Sequence, residues 1–348
     1  MAQASDEFLV DFPTIGFLVA DWQEQHCSVP TGFQKGQPFV QPDWQLWCTV
    51  NHYRVKTTAR WVPERPILAP AFHNRRSLIV GPQKIGKGPW SAATVCNEAA
   101  GPALFAGWAQ GGEVYDCRQH GCGCGWFYEY EPGEPMGMPW PTPLIQLFAT
   151  SQEQVDNVYA PLQTMIKDGP LGEFMRVGEE FIRVGGEGKI EAVTSSALSR
   201  LGNPITAAFL DETGTYTAQN KLKGVAKTAR RGLAGMGGRA IETTNLWDPS
   251  QASTAQETYH SRAADIFRYL RQPPGHLKFK DPHQRRKILE YVYAGTPWVD
   301  LDAVEAEAFE LMEKDPEEAE RFFGNIFSQG KGRWMPEDLW TNSESVAK

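Results

Sequence analysis

Short apolar runs alternate with amphipathic stretches along the middle of the chain, between residues 77 and 244. The first run, at residues 77–80, stops at a glycine, and a helical pattern follows over residues 90–100 with Pro89 in its first turn. Brief apolar runs bounded by turn residues are typical of buried parallel strands. The same pattern predicts further strands at residues 144–149, 189–194, 205–210 and 240–244.

Helices are predicted between these strands and throughout the C-terminal part. Ser151 and Gln154 stand at capping-box spacing before a helical pattern that continues to about residue 166, and another helix is predicted over residues 217–231. After about residue 249 the strand pattern stops, and three aspartates stand where helices begin, namely Asp281, Asp300 and Asp315. We therefore expect an α/β fold, with a mainly parallel sheet covered by helices on both faces and a helical tail.

The composition is that of an ordinary globular protein. The 348 residues are 41% hydrophobic, which excludes a wholly disordered chain. Neither a membrane span nor export is expected, because no run approaches roughly 18 apolar residues and the N-terminus lacks the pattern of a secretory signal. Lys and Arg number 34 against 42 Asp and Glu, a net charge of −8, so nucleic-acid binding would require local basic patches.

The six cysteines, in a chain without a secretory signal, indicate free thiols and a reducing compartment. Three of them, Cys117, Cys122 and Cys124, lie within eight residues, and His120 stands between them. Three thiolates and one imidazole could form a tetrahedral zinc site. The Cys-x-Cys spacing is tighter than the two separated pairs of a usual zinc knuckle, so a glycine-rich surface loop without metal is the alternative.

The strongest chemical feature is a glycine-rich segment between the first predicted strand and its helix. Glycines let backbone N–H groups converge on a phosphate, the helix N-terminus adds positive potential, and a lysine reaches the β- and γ-phosphates. The spacing of this motif is matched, but a glycine stands where a Mg²⁺-binding Ser or Thr is expected. Taken alone, the segment is equally well explained as a glycine-rich turn. Its residues are Gly81, Pro82, Gln83, Lys84, Ile85, Gly86, Lys87 and Gly88.

A second feature is the pair of acids that ends the strand predicted at residues 205–210. Asp211 and Glu212 follow this apolar run directly. Phosphoryl transfer requires one carboxylate to hold Mg²⁺ or its water, and often another to orient the attacking water. Open α/β folds bind ligands at the carboxyl ends of their strands. The loop and the acid pair together predict an ATPase, although a solvated acidic turn is the alternative for the acids alone.

In combination, these motifs resemble the ATPase part of the large terminase subunit of tailed bacteriophages, the motor that packages DNA into procapsids. The resemblance rests on residues 81–88 as a variant Walker A motif and on residues 205–212 as a Walker B motif with a catalytic glutamate. It covers about residues 40–330, which is most of the chain. The fold that it implies is a RecA-like P-loop ATPase of the ASCE class.

Two smaller motifs extend the resemblance and add residues to the expected ATP site. Residues 42–45 resemble the adenine-reading glutamine motif of the family, so Gln45 is expected to contact the nucleotide. The segment Thr243-Thr244-Asn245 follows the next predicted strand and is similar to the coupling motif of the family. Thr244 and Asn245 are therefore expected beside the bound ATP.

The resemblance also implies catalytic roles. Lys87 would stabilise charge on the transferred phosphate, Asp211 would hold Mg²⁺, and Glu212 would polarise the attacking water. Arg200, in the loop before the Walker B strand, would enter the site of a neighbouring subunit, or else it is a surface arginine in a polar turn. Lys84 would add a second positive charge at the phosphates, or else it is simply exposed to solvent.

The same likeness implies an organisation and a set of partners. Residues 1–248 would be the P-loop ATPase core with an N-terminal extension, residues 249–340 a helical lid or linker, and residues 341–348 a tail. No nuclease domain is expected in the chain. The expected partners are double-stranded DNA, the phage portal protein, the small terminase subunit and further copies in a ring. The expected location is the host cell cytoplasm, away from membranes.

Two other functions stay open at this point. One is a different RecA-like enzyme, such as a DNA helicase or remodelling ATPase. The other is a nucleotide-binding assembly module whose loop no longer supports hydrolysis. Two basic segments, at residues 221–239 and 285–287, are candidates for contact with DNA phosphates, and solvated helix faces are the alternative for both.

Overall fold

The computed structural model describes residues 8–64, 71–149, 152–178, 181–193 and 204–327. Within these ranges the helices are α1 (Gly16–His26), α2 (Asp43–His52), α3 (Lys87–Ala100), α4 (Gln152–Asp168), α5 (Leu222–Met236), α6 (Thr254–His260), α7 (Pro282–Val292), α8 (Leu301–Lys314) and α9 (Pro316–Phe322). The strands are β1 (Arg76–Val80), β2 (Leu104–Trp108), β3 (Val114–Asp116), β4 (Phe127–Glu129), β5 (Pro135–Met138), β6 (Leu144–Phe148), β7 (Met175–Val177), β8 (Phe181–Val184), β9 (Gly188–Val193), β10 (Ala207–Asp211), β11 (Arg239–Thr244) and β12 (Ile266–Leu270).

Eight of these strands form one sheet in the order β12-β1-β11-β10-β6-β9-β8-β7. The first six strands in this order run parallel, and β8 and β7 continue the sheet in antiparallel pairing. Strands β1 and β10 both pair with β11, in registers that place Val80 beside Thr244 and Asp211 beside Thr243. The carboxyl ends of the three strands therefore meet at one edge of the sheet, and the predicted α/β class is confirmed.

The predicted central strands agree with the structure to within two residues at each end. They were recognisable because every residue of β1 and β10 is buried, which favours apolar runs such as residues 78–80 and 207–210. The three aspartates predicted to begin helices are also confirmed. Each accepts a hydrogen bond from a backbone N–H in the first turn of its helix; they are Asp281, Asp300 and Asp315.

The expectation that only helices follow residue 249 is wrong. Strand β12 lies in that part of the chain and pairs with β1 at the edge of the sheet. Its burial is incomplete, and Arg268 in its centre donates hydrogen bonds to the carbonyls of Tyr259 and Ile266. An edge strand with a central arginine lacks the continuous apolar run by which the other parallel strands were identified.

Helix α5 is displaced by five residues from its prediction at residues 217–231. The first of these residues form a turn in which the Asn220 side-chain oxygen accepts from the N–H groups of Thr217 and Leu222. The helix then continues past residue 231 through Gly232 and Gly235, because Leu233 is buried there, and it ends at Gly237 with φ +67°. Ser151, the expected N-cap of α4, lies outside the described residues.

Successive side chains of the central strands pack on opposite faces of the sheet. Ile79 and Phe209 belong to the core on the side of α3 and α4. Leu210 packs with the buried face of α5, and Val80 packs with residues around α6 on that same side. Helices on both faces therefore bury the central strands β1, β10 and β11.

Two small antiparallel sheets lie between α3 and β6, one made of β2 with β5 and the other of β3 with β4. The sequence pattern did not identify these strands, which are three to five residues long. It also did not identify α1. Across the ranges given above, no helix has both the length and the apolar character needed to cross a bilayer.

A buried ion pair fastens the N-terminal part to the sheet. Arg239 at the start of β11 contacts Glu98 of α3 at 3.1 Å, and it also donates hydrogen bonds to the carbonyls of His52 and Ala103 at 2.7 and 3.1 Å. Its guanidinium lies 3.9 Å from the ring centroid of Phe72. Burial raises the pKa of Glu98, whereas the nearby Arg239 charge lowers it.

Replacing Arg239 by alanine is expected to lower the free energy of unfolding by about 3–5 kcal/mol, because it leaves the buried Glu98 carboxylate without an opposite charge, with the Tyr53 hydroxyl as its donor at 2.6 Å. Urea denaturation followed by circular dichroism measures the change. The matched control is Arg75→Ala, which removes an exposed ion pair with Asp265 at 2.9 Å and should cost about 1 kcal/mol or less. Equal effects of the two substitutions would contradict a structural role for the buried pair.

Candidate nucleotide-binding site

The glycine-rich segment lies between β1 and α3 and curls around its own backbone. Two of its residues have left-handed conformations, Gly86 with φ +96° and Lys84 with φ +67°. Because α3 begins at Lys87, the first N–H groups of the helix point into this curl. The first part of the loop is anchored by two backbone hydrogen bonds, since the Gly81 N–H donates to the carbonyl of Thr244 and the Gln83 N–H to that of Phe322. This is the geometry of a phosphate-binding loop.

Lys87 is buried at the centre of the curl. Its ammonium donates to the carbonyl oxygens of Gly81 and Pro82 at 2.8 and 2.9 Å, and to Oδ1 of Asn245 at 2.8 Å. Burial lowers the pKa of Lys87, and the carboxylates of Glu212 and Asp211 oppose this shift. The ammonium therefore has three oxygen acceptors, one for each proton. The oxygen atoms of a phosphate bound in the loop could replace them as acceptors.

Gly88 is explained by packing against α4. A Cβ atom at this position would lie 2.7 Å from the backbone carbonyl oxygen of Asn157. A serine or threonine would therefore require α4 to move away from α3. The departure from the usual motif follows from this close helix contact, and any Mg²⁺ ion here would lack the hydroxyl ligand that the loop commonly supplies.

Asp211 stands at the end of β10, and its carboxylate accepts a hydrogen bond from the Thr243 hydroxyl at 2.6 Å. Burial raises its pKa, and the Thr243 hydrogen bond and the Lys87 charge act in the opposite direction. A carboxylate placed beside the phosphate-binding loop and oriented by a hydroxyl is a suitable ligand for Mg²⁺ or for its bound water.

Glu212 follows with a left-handed backbone, at φ +54°, and its side chain is half-buried. Its carbonyl oxygen accepts from the N–H and the hydroxyl of Thr215, which holds the turn in place. Burial raises the pKa of Glu212, the Lys87 charge lowers it, and the charge of Asp211 raises it. A strained residue with a raised carboxyl pKa, beside the loop lysine, fits the position of a general base.

Thr244 and Asn245 connect the loop, the acids and β11. The Thr244 hydroxyl accepts from the Gly214 N–H at 2.9 Å and donates to the Asn245 carbonyl at 2.8 Å. The Asn245 side chain holds Lys87, and its backbone N–H donates to the Glu212 carboxylate. The structure thus brings together the predicted residues Lys87, Asp211, Glu212 and Asn245 at the edge where the three strands end.

An open cavity of about 810 Å³ adjoins the loop. Its walls come from the turn at residues 29–40, from Gln45 on α2, from Gly86 and Pro89, and from Trp298. The Gln45 side-chain amide lies 3.4 Å from the Gly86 carbonyl, and its Oε1 is buried with no hydrogen-bond partner among the described residues. An acceptor of this kind beside a phosphate-binding loop fits an adenine amino group, which donates hydrogen bonds.

Trp298 is a site residue that the sequence pattern did not predict. It lies in the turn between α7 and α8, more than two hundred positions after the loop, and its indole N–H donates to the Lys84 carbonyl at 3.3 Å. A Cβ atom at Gly86 would lie 2.8 Å from its ring. No local motif marks such a residue, because only the tertiary fold brings it to the cavity.

The remaining predicted residues have mixed outcomes. Lys84 is exposed, whereas Pro82 and Ile85 are buried in the loop. Arg200 lies outside the described residues, so its predicted role in a neighbouring site stays a prediction.

The expected zinc ligands need one correction. The thiols of Cys117, Cys122 and Cys124 do lie together, but the imidazole beside them belongs to His26 of α1. The ring of His120 packs instead on Tyr115, with centroids 4.7 Å apart. The sequence pattern favoured His120 because it is adjacent to the cysteines, whereas His26 stands 91 residues before Cys117.

Comparison with known proteins gives likenesses in sequence and in structure. No family model matches the chain. The Gene 13 protein of Mycobacterium phage D29 is 26% identical over 71% of this chain and 40% of its own length. The Gene 13 protein of Mycobacterium phage L5 is 23% identical over 95% of this chain and 53% of its own. The chain thus spans about half or less of the length of these curated relatives.

Among solved structures, the crystal structure of the HK97 bacteriophage large terminase covers 89% of this chain with a TM-score of 0.62. The two sequences are 16% identical, and the match covers 55% of the HK97 chain. This likeness is one of fold. The predicted α/β class, with a mainly parallel sheet flanked by helices, is confirmed.

Proposed function

We propose that this chain is the ATP-hydrolysing motor part of a phage DNA-packaging terminase. The observation that carries the proposal is the convergence of Lys87, Asp211, Glu212 and Asn245 at one sheet edge, beside a cavity with an unpaired acceptor on Gln45. The shared fold with a phage large terminase supports the motor assignment over other ATPases.

In this proposal ATP lies with its base in the cavity and its phosphates in the loop. Gln45 accepts from the adenine amino group, and Trp298 closes the wall beside Gly86. The N–H groups of residues 84–88 surround the β-phosphate, and the Lys87 ammonium donates to phosphate oxygens in place of its present carbonyl partners. The cavity volume of about 810 Å³ is of the size that holds a small ligand.

Mg²⁺ is assigned to Asp211, with water in place of the hydroxyl that Gly88 cannot supply. This is chemically reasonable because Mg²⁺ keeps several waters and is often bound through one or two carboxylates and the substrate phosphates. Glu212 is assigned as the general base that takes a proton from the attacking water. Lys87 neutralises the charge that develops on the transferred phosphate.

Asn245 is assigned as the residue that transmits the state of the nucleotide. It contacts Lys87 through its side chain and Glu212 through its backbone N–H, and it directly follows β11. When Lys87 turns towards a phosphate, the hydrogen bond to Asn245 must lengthen or break. Loss and recovery of this hydrogen bond would link hydrolysis to movement of β11, which lies between β1 and β10 in the sheet.

DNA contact is assigned to a smaller basic surface than the sequence pattern indicated. Several of the candidate cations have protein partners: Arg239 pairs with Glu98, Arg230 with Glu242, Lys223 with Glu257, and Arg286 with three carboxylates. Lys227 and Arg231 remain exposed, four residues apart on α5. We assign these two side chains to contacts with phosphates of double-stranded DNA.

The wider assembly is part of the same proposal. The chain would act as a ring of copies on the phage portal protein, with the small terminase subunit, in the host cell cytoplasm. Arg200 would then complete the site of the adjacent subunit and stabilise the transferred phosphate. A dilute monomer is therefore expected to hydrolyse ATP slowly.

The proposal is tested by measuring phosphate release at high protein concentration, with and without double-stranded DNA. Stimulation by DNA is expected. The double variant Lys227→Glu/Arg231→Glu should lose the stimulation but keep ATP binding. Removing two phosphate contacts should also lower the slope of log affinity against log salt by about 2.

The control is Lys56→Glu/Lys167→Glu, which makes the same charge change at two exposed lysines elsewhere. It should retain DNA stimulation. ATP binding without phosphate release under all conditions would favour the non-hydrolysing assembly module instead. Separation of DNA strands coupled to hydrolysis would favour a helicase.

A further inference from the structure

Four metal-binding side chains converge between helix α1 and the β3–β4 hairpin. The ligand atoms of His26, Cys117, Cys122 and Cys124 all lie within 4.8 Å of one another. Nε2 of His26 is 3.4 Å from the Cys117 sulfur and 3.2 Å from the Cys124 sulfur. Zinc bonds of about 2.3 Å to sulfur and 2.0–2.1 Å to nitrogen place tetrahedral ligands about 3.5–3.8 Å apart. The four atoms therefore surround a space of the right size for one zinc ion.

The orientation of His26 is fixed by its surroundings. Its Nδ1 lies 2.7 Å from the Trp22 carbonyl oxygen, which can only accept, so Nδ1 carries the proton. Nε2 consequently presents its lone pair to the thiols. The imidazole also stacks on Trp22, with ring centroids 4.2 Å apart, and meets the edge of Trp126 at 5.8 Å. A histidine held by a carbonyl through its other nitrogen is the usual arrangement of a zinc ligand.

The conformation of the loop that carries the three cysteines brings their sulfur atoms together. The Cys122 N–H donates to the Cys117 carbonyl at 3.1 Å, and the Trp126 N–H lies 3.4 Å from the Cys124 sulfur as a donor. Gly121, before Cys122, has φ +86°, and Gly125, after Cys124, has φ +77°. These left-handed glycines allow the chain to turn tightly on either side of the Cys-x-Cys pair.

The site is largely shielded from solvent and has four candidate ligands. His26, Cys117 and Cys122 are buried, and Cys124 is half-buried. Four protein ligands leave no position for a substrate, which is the mark of a structural zinc site and not of a catalytic one. Three cysteines in one cluster also cannot all be paired by a single internal disulfide, whereas one metal ion uses all of them.

The geometry points to a structural Zn²⁺ site formed by His26, Cys117, Cys122 and Cys124. On binding, the three thiols release their protons, and the neutral imidazole contributes its lone pair. The ion ties α1 to the hairpin across about ninety residues of chain. Because α1 packs against α3, the helix that begins at the phosphate-binding loop, the metal would hold the hairpin on the body of the ATPase domain.

The test is elemental analysis of the full chain, purified without a histidine tag and under reducing conditions. We expect about one zinc per chain. His26→Ala and Cys124→Ser should lose the metal. The matched control His120→Ala should keep it, because that ring lies outside the cluster although it is adjacent to the cysteines in sequence.

A second measurement does not depend on the folding of a variant. Unaltered protein is treated with a strong chelator and then titrated with Co²⁺, which should give the intense visible bands of tetrahedral thiolate coordination at one equivalent. Chelation should also lower the melting temperature. Less than about a tenth of an equivalent of zinc together with no cobalt bands would overturn the proposal. So would an intramolecular disulfide in the reduced preparation, or loss of metal in His120→Ala but not in His26→Ala.

Discussion

Replacing Lys87 by alanine is expected to reduce ATP turnover by about 10²–10³-fold, since it removes an electrostatic contact with the transferred phosphate. Lys87 is suited to this role because its ammonium is buried and donates hydrogen bonds to three oxygen atoms that phosphate oxygens can replace. Two nearby carboxylates, those of Glu212 and Asp211, favour its charged form. Lys87→Met, which keeps the aliphatic stem, should show the same loss.

Phosphate release at saturating ATP measures the effect, and circular dichroism checks that each variant is folded. Lys84→Ala is the comparison within the same loop. Alanine and lysine carry the same Cβ penalty at the left-handed φ of +67°, so this variant changes the charge without changing the backbone preference. A loss as large as that of Lys87→Ala would show that Lys84 also serves the phosphates. Near-normal turnover in Lys87→Ala would remove the basis for the phosphate-binding loop.

The central sheet was predictable because its strands are buried on both faces. A strand of this kind is rich in apolar residues, as at residues 78–80, and that signal survives in a single sequence. β12 did not show the signal because it lies at the edge and carries Arg268. The five-residue error in α5 has a different origin, since the Asn220 turn delays the start of the helix and burial of Leu233 carries it through glycines that favour a loop.

The site was predictable only where its residues follow a strand or begin a helix. Lys87, Asp211, Glu212 and Asn245 all do so, and the sheet topology brings them together. Trp298 and His26 could not be found in this way, because their partners are distant in sequence. Lys84 lies 214 residues before Trp298, and Cys117 lies 91 residues after His26. Proximity in sequence even pointed to the wrong histidine. The signal that identifies His26 is the hydrogen bond from its ring to Trp22, which only the folded α1 reveals.

Gly88 shows how a departure from a motif can have a packing cause. Read from sequence, it suggested weak hydrolysis through loss of a Mg²⁺ ligand. In the structure, a Cβ atom at Gly88 of α3 would lie 2.7 Å from the carbonyl oxygen of Asn157 on α4, so the packing of the two helices accounts for the glycine. Absence of the hydroxyl therefore does not by itself indicate an inactive site, and the metal then depends more heavily on Asp211.

Glu212→Gln is expected to bind ATP about as well as the unaltered chain and to hydrolyse it at least about 10²-fold more slowly. Glutamine keeps the shape of the side chain and can still accept from the Asn245 N–H, but it cannot take a proton from water. Asp211→Asn should instead weaken Mg²⁺-dependent binding, because the Thr243-oriented carboxylate is the assigned metal ligand. Substitution of Glu212 is thus expected to impair hydrolysis, and substitution of Asp211 is expected to impair nucleotide binding.

Nucleotide binding by fluorescence and phosphate release by a coupled assay separate these steps on the same preparations. Glu307→Gln, which makes the same charge change on the exposed face of α8, should leave both quantities unaltered. The burial that raises the pKa of Glu212 makes it a stronger base than an exposed carboxylate, so its loss cannot be replaced by a surface acid. If Glu212→Gln hydrolyses ATP at the normal rate, the water is activated by another group and the assignment of Glu212 is incorrect.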